Sequence, residues 1–137
     1  MWRLSSRRCR CAARLGPPHR GLTHEVEARR RCADLPGVRF EQMFVPEPWP
    51  GGVFDRVLLS EVVYSFSRED VGSIATSVSH SLAPDGPVIL VRWTGSTDYP
   101  LSGDEAVALF IERMGSACVV MRADRYTEFR LGVLSRA

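Results

Sequence analysis

The chain contains no lysine and no asparagine, so all 18 of its basic residues are arginine. Lysine and asparagine codons are AT-rich and arginine codons can be GC-rich, which points to a gene of high GC content. Long apolar runs are missing too. The longest purely aliphatic stretch is Val88-Ile89-Leu90-Val91, far short of the roughly 20 residues that span a bilayer. Cysteine is scarce, with four residues in 137, and Cys9, Cys11 and Cys32 cluster near a segment with no secretory apolar core. A disulfide framework is therefore not expected, and a reducing cytoplasmic compartment is the default. Cys9, Cys11, His19, His24 and Cys32 match no paired C-x-x-C zinc scheme, so no metal site is expected.

What remains is an ordinary globular balance, with 45% hydrophobic and 25% charged residues. Disorder throughout, collagen-like repeats and coiled-coil rods are excluded. The charge is unevenly placed. Residues 1–24 hold six arginines and no acid, whereas residues 25–137 hold 12 arginines against 16 acids. The body is thus acidic and shows no basic face for nucleic acid.

Residues 1–24 show neither apolar period. A helix is predicted from about residue 25 to 33, closed by Asp34-Leu35-Pro36-Gly37, and a short strand over 38–40. Pro46, Pro48, Pro50, Gly51 and Gly52 mark a loop. Residues 54–59 read as a buried strand with Ser60 and Glu61 at its carboxyl end. Ser67-Arg68-Glu69-Asp70 has the capping-box form. The helix it opens carries Val71, Ile74, Val78 and Leu82 as one apolar stripe. A second buried strand follows over 88–91. Arg92 ends it and reads as an exposed charge.

Ser102-Gly103-Asp104-Glu105 is a second capping box. It opens a helix with Val107, Phe110, Ile111 and Met114 inward and ends at Gly115. Residues 118–121 form a third apolar run. Over 127–133, Phe129, Leu131 and Val133 alternate with Glu128, Arg130 and Gly132, which predicts a last strand with one more exposed face. Strands alternating with helices imply an α/β fold with a largely parallel sheet, and the short final link predicts an antiparallel last strand.

Three segments resemble a known family. They are Phe54-Asp55-Arg56-Val57-Leu58-Leu59-Ser60-Glu61-Val62-Val63-Tyr64, then Leu82-Ala83-Pro84-Asp85-Gly86, then Trp93-Thr94-Gly95-Ser96-Thr97-Asp98-Tyr99-Pro100-Leu101-Ser102-Gly103-Asp104-Glu105. From about residue 30 onward the chain resembles the class I S-adenosylmethionine-dependent methyltransferases, and within them the branch around the nodulation protein S N-methyltransferases. The resemblance implies a Rossmann-like sheet of order 3-2-1-4-5-7-6, of which this chain would hold strands 3 to 7.

The first two strands, and the E/D-x-G-x-G loop that lets the backbone approach the cofactor, have no counterpart in residues 1–37. The expectation is therefore a basic head over 1–28, disordered or read out of frame, followed by the carboxyl-terminal part of a methyltransferase domain over 29–137. An arginine-rich, acid-free head also has the composition of a mitochondrial presequence.

The resemblance implies S-adenosylmethionine as cofactor and a small-molecule methyl acceptor, such as an amino sugar or oligosaccharide. Met43, Phe44, Val45, Ser60 and Glu61 would lie at the cofactor. Phe44 stands where relatives hold an acid that reads the adenine; it would either pack on that ring or belong to the core. Glu61 would be catalytic, orienting an amine or taking its proton. Tyr64, Trp93, Asp98 and Tyr99 would line the acceptor site, with aromatic faces suited to a cationic group. No membrane or nucleic-acid partner is expected. Two function classes stand side by side: a methyltransferase impaired by the missing loop, and a non-catalytic fragment that binds no cofactor. Without its first strand the sheet would keep an open edge, so instability of the isolated chain or self-association is expected.

Overall fold

The computed structural model describes residues 21–38, 40 and 43–137. Helix α1 (Gly21–Arg31) comes first, starting four residues before its predicted position and ending two before it. Its part-exposed Glu27 carboxylate meets Arg30 and Arg31 at 2.8 Å each, and these bonds lower its pKa to about 2.

Four strands form one sheet in the order β1-β2-β4-β3. They are β1 (Val57–Ser60), β2 (Pro87–Trp93), β3 (Cys118–Arg125) and β4 (Phe129–Arg136). β1 and β2 run parallel, with Val57 opposite Val88 and Ser60 opposite Val91. β4 runs antiparallel to both β2 and β3. The two crossover helices are α2 (Arg68–Ser81) and α3 (Gly103–Met114), which pack on one another.

Both helices start where the sequence predicts. Ser67 Oγ accepts from the Asp70 amide at the head of α2. At α3 the capping box is complete: Ser102 Oγ accepts from the Glu105 amide, and the Ser102 amide donates to Glu105 Oε2 at 2.9 Å. Those bonds hold the Glu105 carboxyl below the usual carboxylate range. The inward stripes Val71, Ile74, Val78 and Val107, Phe110, Met114 are buried against Val57, Leu59, Val88, Leu90 and Leu134 on one sheet face.

Three expectations need correction. Val38 and Phe40 lie in no strand, and Arg39 between them lies outside the described residues; among the described residues no strand borders the outer side of β1 to pair with it. The predicted strand over 54–59 is shorter, because Phe54 makes only an isolated bridge with Leu82 before β1 begins at Val57.

The faces of the last strand are also inverted. Gly132 and Leu134 point under the helices and are buried, whereas Leu131 and Val133 lie half-buried on the other face. β4 sits centrally, between β2 and β3, and Gly132 lies opposite Leu90. A Cβ at Gly132 would meet Leu90 Cβ at 3.8 Å, an ordinary packing distance on the covered side. The exposed strand is instead β3, where Val119 and Met121 are 53% and 66% exposed.

Candidate functional site

The carboxyl ends of parallel strands are where α/β sheets hold ligands. At the end of β1 the chain turns sharply, and Glu61 takes φ 57. A non-glycine residue in this left-handed region carries a conformational cost of order 1–3 kcal/mol and persists only where its surroundings impose it. Here the Glu61 amide donates to the Val91 carbonyl at 2.9 Å, which continues the ladder one residue past β1. The turn sends the side chain back across the strand ends.

The Glu61 carboxylate is pinned through one oxygen. Tyr64 donates its hydroxyl to Oε2 at 2.7 Å, and the Trp93 amide, at the end of β2, donates to the same oxygen at 3.1 Å. Oε1 accepts no hydrogen bond among the described residues and faces outward on an exposed residue. Burial, and then the adjoining Glu61 carboxylate, push the Tyr64 phenol well above the usual tyrosine range. The Tyr99 ring rests on Tyr64, with centroids 5.7 Å apart and planes tilted by 50°. Tyr64 is buried and Tyr99 is 49% exposed, so the pair presents one aromatic surface beside the carboxylate.

The predicted site residues therefore divide. Glu61, Tyr64, Tyr99 and Trp93 come together, but Trp93 contributes its backbone. Its ring lies over Gly95, where an added Cβ would fall 2.2 Å from the indole nitrogen. Asp98 is exposed and makes no hydrogen bond or ion pair among the described residues. Ser60 ends β1 half-exposed, opposite Val91. Phe44 is 61% exposed, which removes the core alternative for its ring. Met43 packs partly buried against the core and Val45 is a buried core residue.

Sequence reasoning missed a polar cluster on the helix side of the same strand ends. Arg92 is not an exposed charge: its side chain is 14% exposed and its Nε lies 2.7 Å from Asp104 Oδ1. Arg130 Nη1 lies 2.8 Å from Asp104 Oδ2. A usable signal was present, because an acid beside a capping serine and a strand-terminal arginine are ready partners across a short crossover.

A carboxylate with one oxygen held and the other unbonded among the described residues, beside aromatic faces, suits a cationic group. For S-adenosylmethionine, the described residues offer the end of β1 and the exposed Phe44 ring, but no glycine cradle beside the outer edge of β1.

No protein-family model and no curated protein matches the chain by sequence. Solved structures match by shape. A Pseudomonas syringae protein assigned as a methyltransferase superposes with a TM-score of 0.70 at 27% identity, covering 85% of this chain and 69% of its own. The N-methyltransferase NodS from Bradyrhizobium japonicum, in complex with S-adenosyl-L-homocysteine, gives 0.70 at 12% identity, covering 90% and 65%. A Burkholderia thailandensis 1,6-didemethyltoxoflavin N1-methyltransferase gives 0.62 at 14%, covering 91% and 60%. The chain thus spans about two thirds of the length of these structures, and the described residues form part of the Rossmann-like fold of class I methyltransferases.

Proposed function

We propose that this chain carries the acceptor side of an S-adenosylmethionine-dependent methyltransferase that acts in the cytoplasm on a nitrogen of a small molecule, such as an amino sugar. The observation that carries the reading is the pinned Glu61 carboxylate, with Oε2 tied to Tyr64 and the Trp93 amide and Oε1 open. When bound, the cofactor would supply an electrophilic methyl group. Glu61 Oε1 accepts a hydrogen bond from the acceptor amine and takes up its proton. Its two fixed donors hold it in one orientation, which is the positioning that an in-line transfer requires. Tyr64 and Tyr99 cover the flank and favour, by about 0.5–2 kcal/mol, the positive charge that would develop on the nitrogen as the methyl group moves to it from the sulfonium sulfur.

A second reading is favoured by the sheet edge. Among the described residues β1 pairs with β2 alone. A domain that meets its cofactor through a strand on that side needs the missing neighbour. Without it, the chain is an interaction fragment that binds no cofactor and pairs with a second copy along β1. Residues 29–137 are, on either reading, the unit that carries the fold.

Isothermal titration of the full chain with S-adenosyl-L-homocysteine separates the two. Saturable binding that is retained in Tyr99→Phe supports the enzyme reading. No heat at high micromolar concentration, with a dimer in light scattering, favours the fragment.

A further inference from the structure

We propose that Asp104 is a positioning residue for the Glu61 carboxylate, acting through Arg92 near the end of β2 and Arg130 near the start of β4. The inference builds on the reading of Glu61 as the acceptor-side carboxylate, and its test needs neither cofactor nor acceptor.

The antiparallel register of β2 and β4 places Arg92 directly opposite Arg130. Like charges directly opposite one another across a sheet repel. Left alone, these two guanidinium groups would splay the strand ends. Asp104, at the head of α3, gives one oxygen to each of them, at 2.7 and 2.8 Å. Its place in the first turn also suits the positive end of the helix dipole. One carboxylate therefore ties β2, β4 and α3 together at a single point.

The residue following Arg92 is Trp93, whose peptide is gripped from two sides. Its amide donates to Glu61 Oε2 at 3.1 Å. Its carbonyl packs against Gly103, where an added Cβ would fall 2.4 Å from the Trp93 oxygen. Gly103 and Asp104 are neighbours, so the segment that clamps the arginines also fixes the Trp93 peptide. The amide bond to Glu61 sits near the long end of the useful range, and a shift of about 0.4 Å takes it past the limit for a hydrogen bond. Because Tyr64 rides on the same turn as Glu61, the Trp93 amide is the cross-link that fixes the carboxylate relative to β2. The Ser-Gly-Asp-Glu segment is thereby given three distinct tasks: Ser102 and Glu105 cap the helix, Gly103 admits the Trp93 carbonyl, and Asp104 holds the strand ends.

The test follows the Trp93 amide resonance of the full-length 15N-labelled chain from about pH 6 down to about pH 3, across the carboxylate range. The wild type should show a pH-dependent shift that Glu61→Gln abolishes, which identifies Glu61 as its source. Asp104→Asn should lose at least half of that shift while the amides of β1 and α2 stay native. Asp124→Asn, which removes an ion pair on β3, should leave it intact. Arg130→Gln removes only one of the two pairs and should give a smaller loss, and it serves as the probe if Asp104→Asn does not fold. Retention of the full shift in a folded Asp104→Asn or Arg130→Gln chain would overturn the proposal. Failure to bind S-adenosyl-L-homocysteine would bear on the cofactor and leave this coupling untouched.

Discussion

The two edges of the sheet are built on opposite principles. β1 is buried on its helix side, carries no charge within Val57–Ser60, and has no bulge. β3 carries Arg122, Asp124 and Arg125, and its register with β4 slips between Val120 and Arg122. Charges and bulges are what natural edge strands use to refuse partners. β3 is thus a finished edge that tolerates exposed Val119 and Met121, whereas β1 has the character of an interior strand that pairs on one side only among the described residues. The difference teaches that exposure alone does not mark an interaction surface. What marks it is an edge without devices that block pairing.

The contrast can be broken first in the core. Leu59→Ala removes a buried side chain packed under α2 and α3 and should cost about 2–5 kcal/mol. Val120→Ala on β3 should cost less than about 0.5 kcal/mol, as expected away from packed features. Urea unfolding of both variants checks this, and similar losses would mean that β3 is covered.

Next comes Gly103→Ala, which forces a methyl group against the Trp93 carbonyl and should cost about 1–3 kcal/mol by overpacking; thermal unfolding checks it. Ser102→Ala should cost about 1 kcal/mol through the lost cap. The same cap responds to pH. The folded Glu105 carboxyl titrates below its unfolded value, so its contribution is present above about pH 4.3 and is lost as pH falls through the lower folded value. Wild type should lose stability on acidification more steeply than Glu105→Gln in circular dichroism melts.

Most informative on the edges is Leu58→Lys, at a half-buried position of β1. It should convert a self-associated chain to monomer in light scattering, with any loss in the melt following from that dissociation. Met121→Lys on β3 should leave the mass unchanged.

Much of this architecture was legible in the sequence. Ser67 and Ser102 announced both helix starts because a capping hydroxyl is a local signal, answered within three residues. The apolar stripes of α2 and α3 were equally plain. The strand expected over 38–40 was a misreading, since a strand depends on a neighbour that the local pattern cannot supply. The faces of β4 were misjudged because Gly132 carries no hydrophobic signal, although it lies in the covered layer. That Glu61, Tyr64 and Tyr99 meet was readable from their place after the strands. The role of Arg92 was hidden, because the carboxylate that pairs with it lies 12 residues away on another element.

The left-handed backbone at Glu61 has a consequence for anyone stabilising this chain. Glycine is the residue that such a φ of 57 invites, and Glu61→Gly would relieve the backbone while deleting the carboxylate. A selection for thermal robustness alone would therefore favour the substitution that empties the site. On the proposed reading of Glu61, the strained backbone is the cost of keeping an acceptor-side carboxylate at this turn.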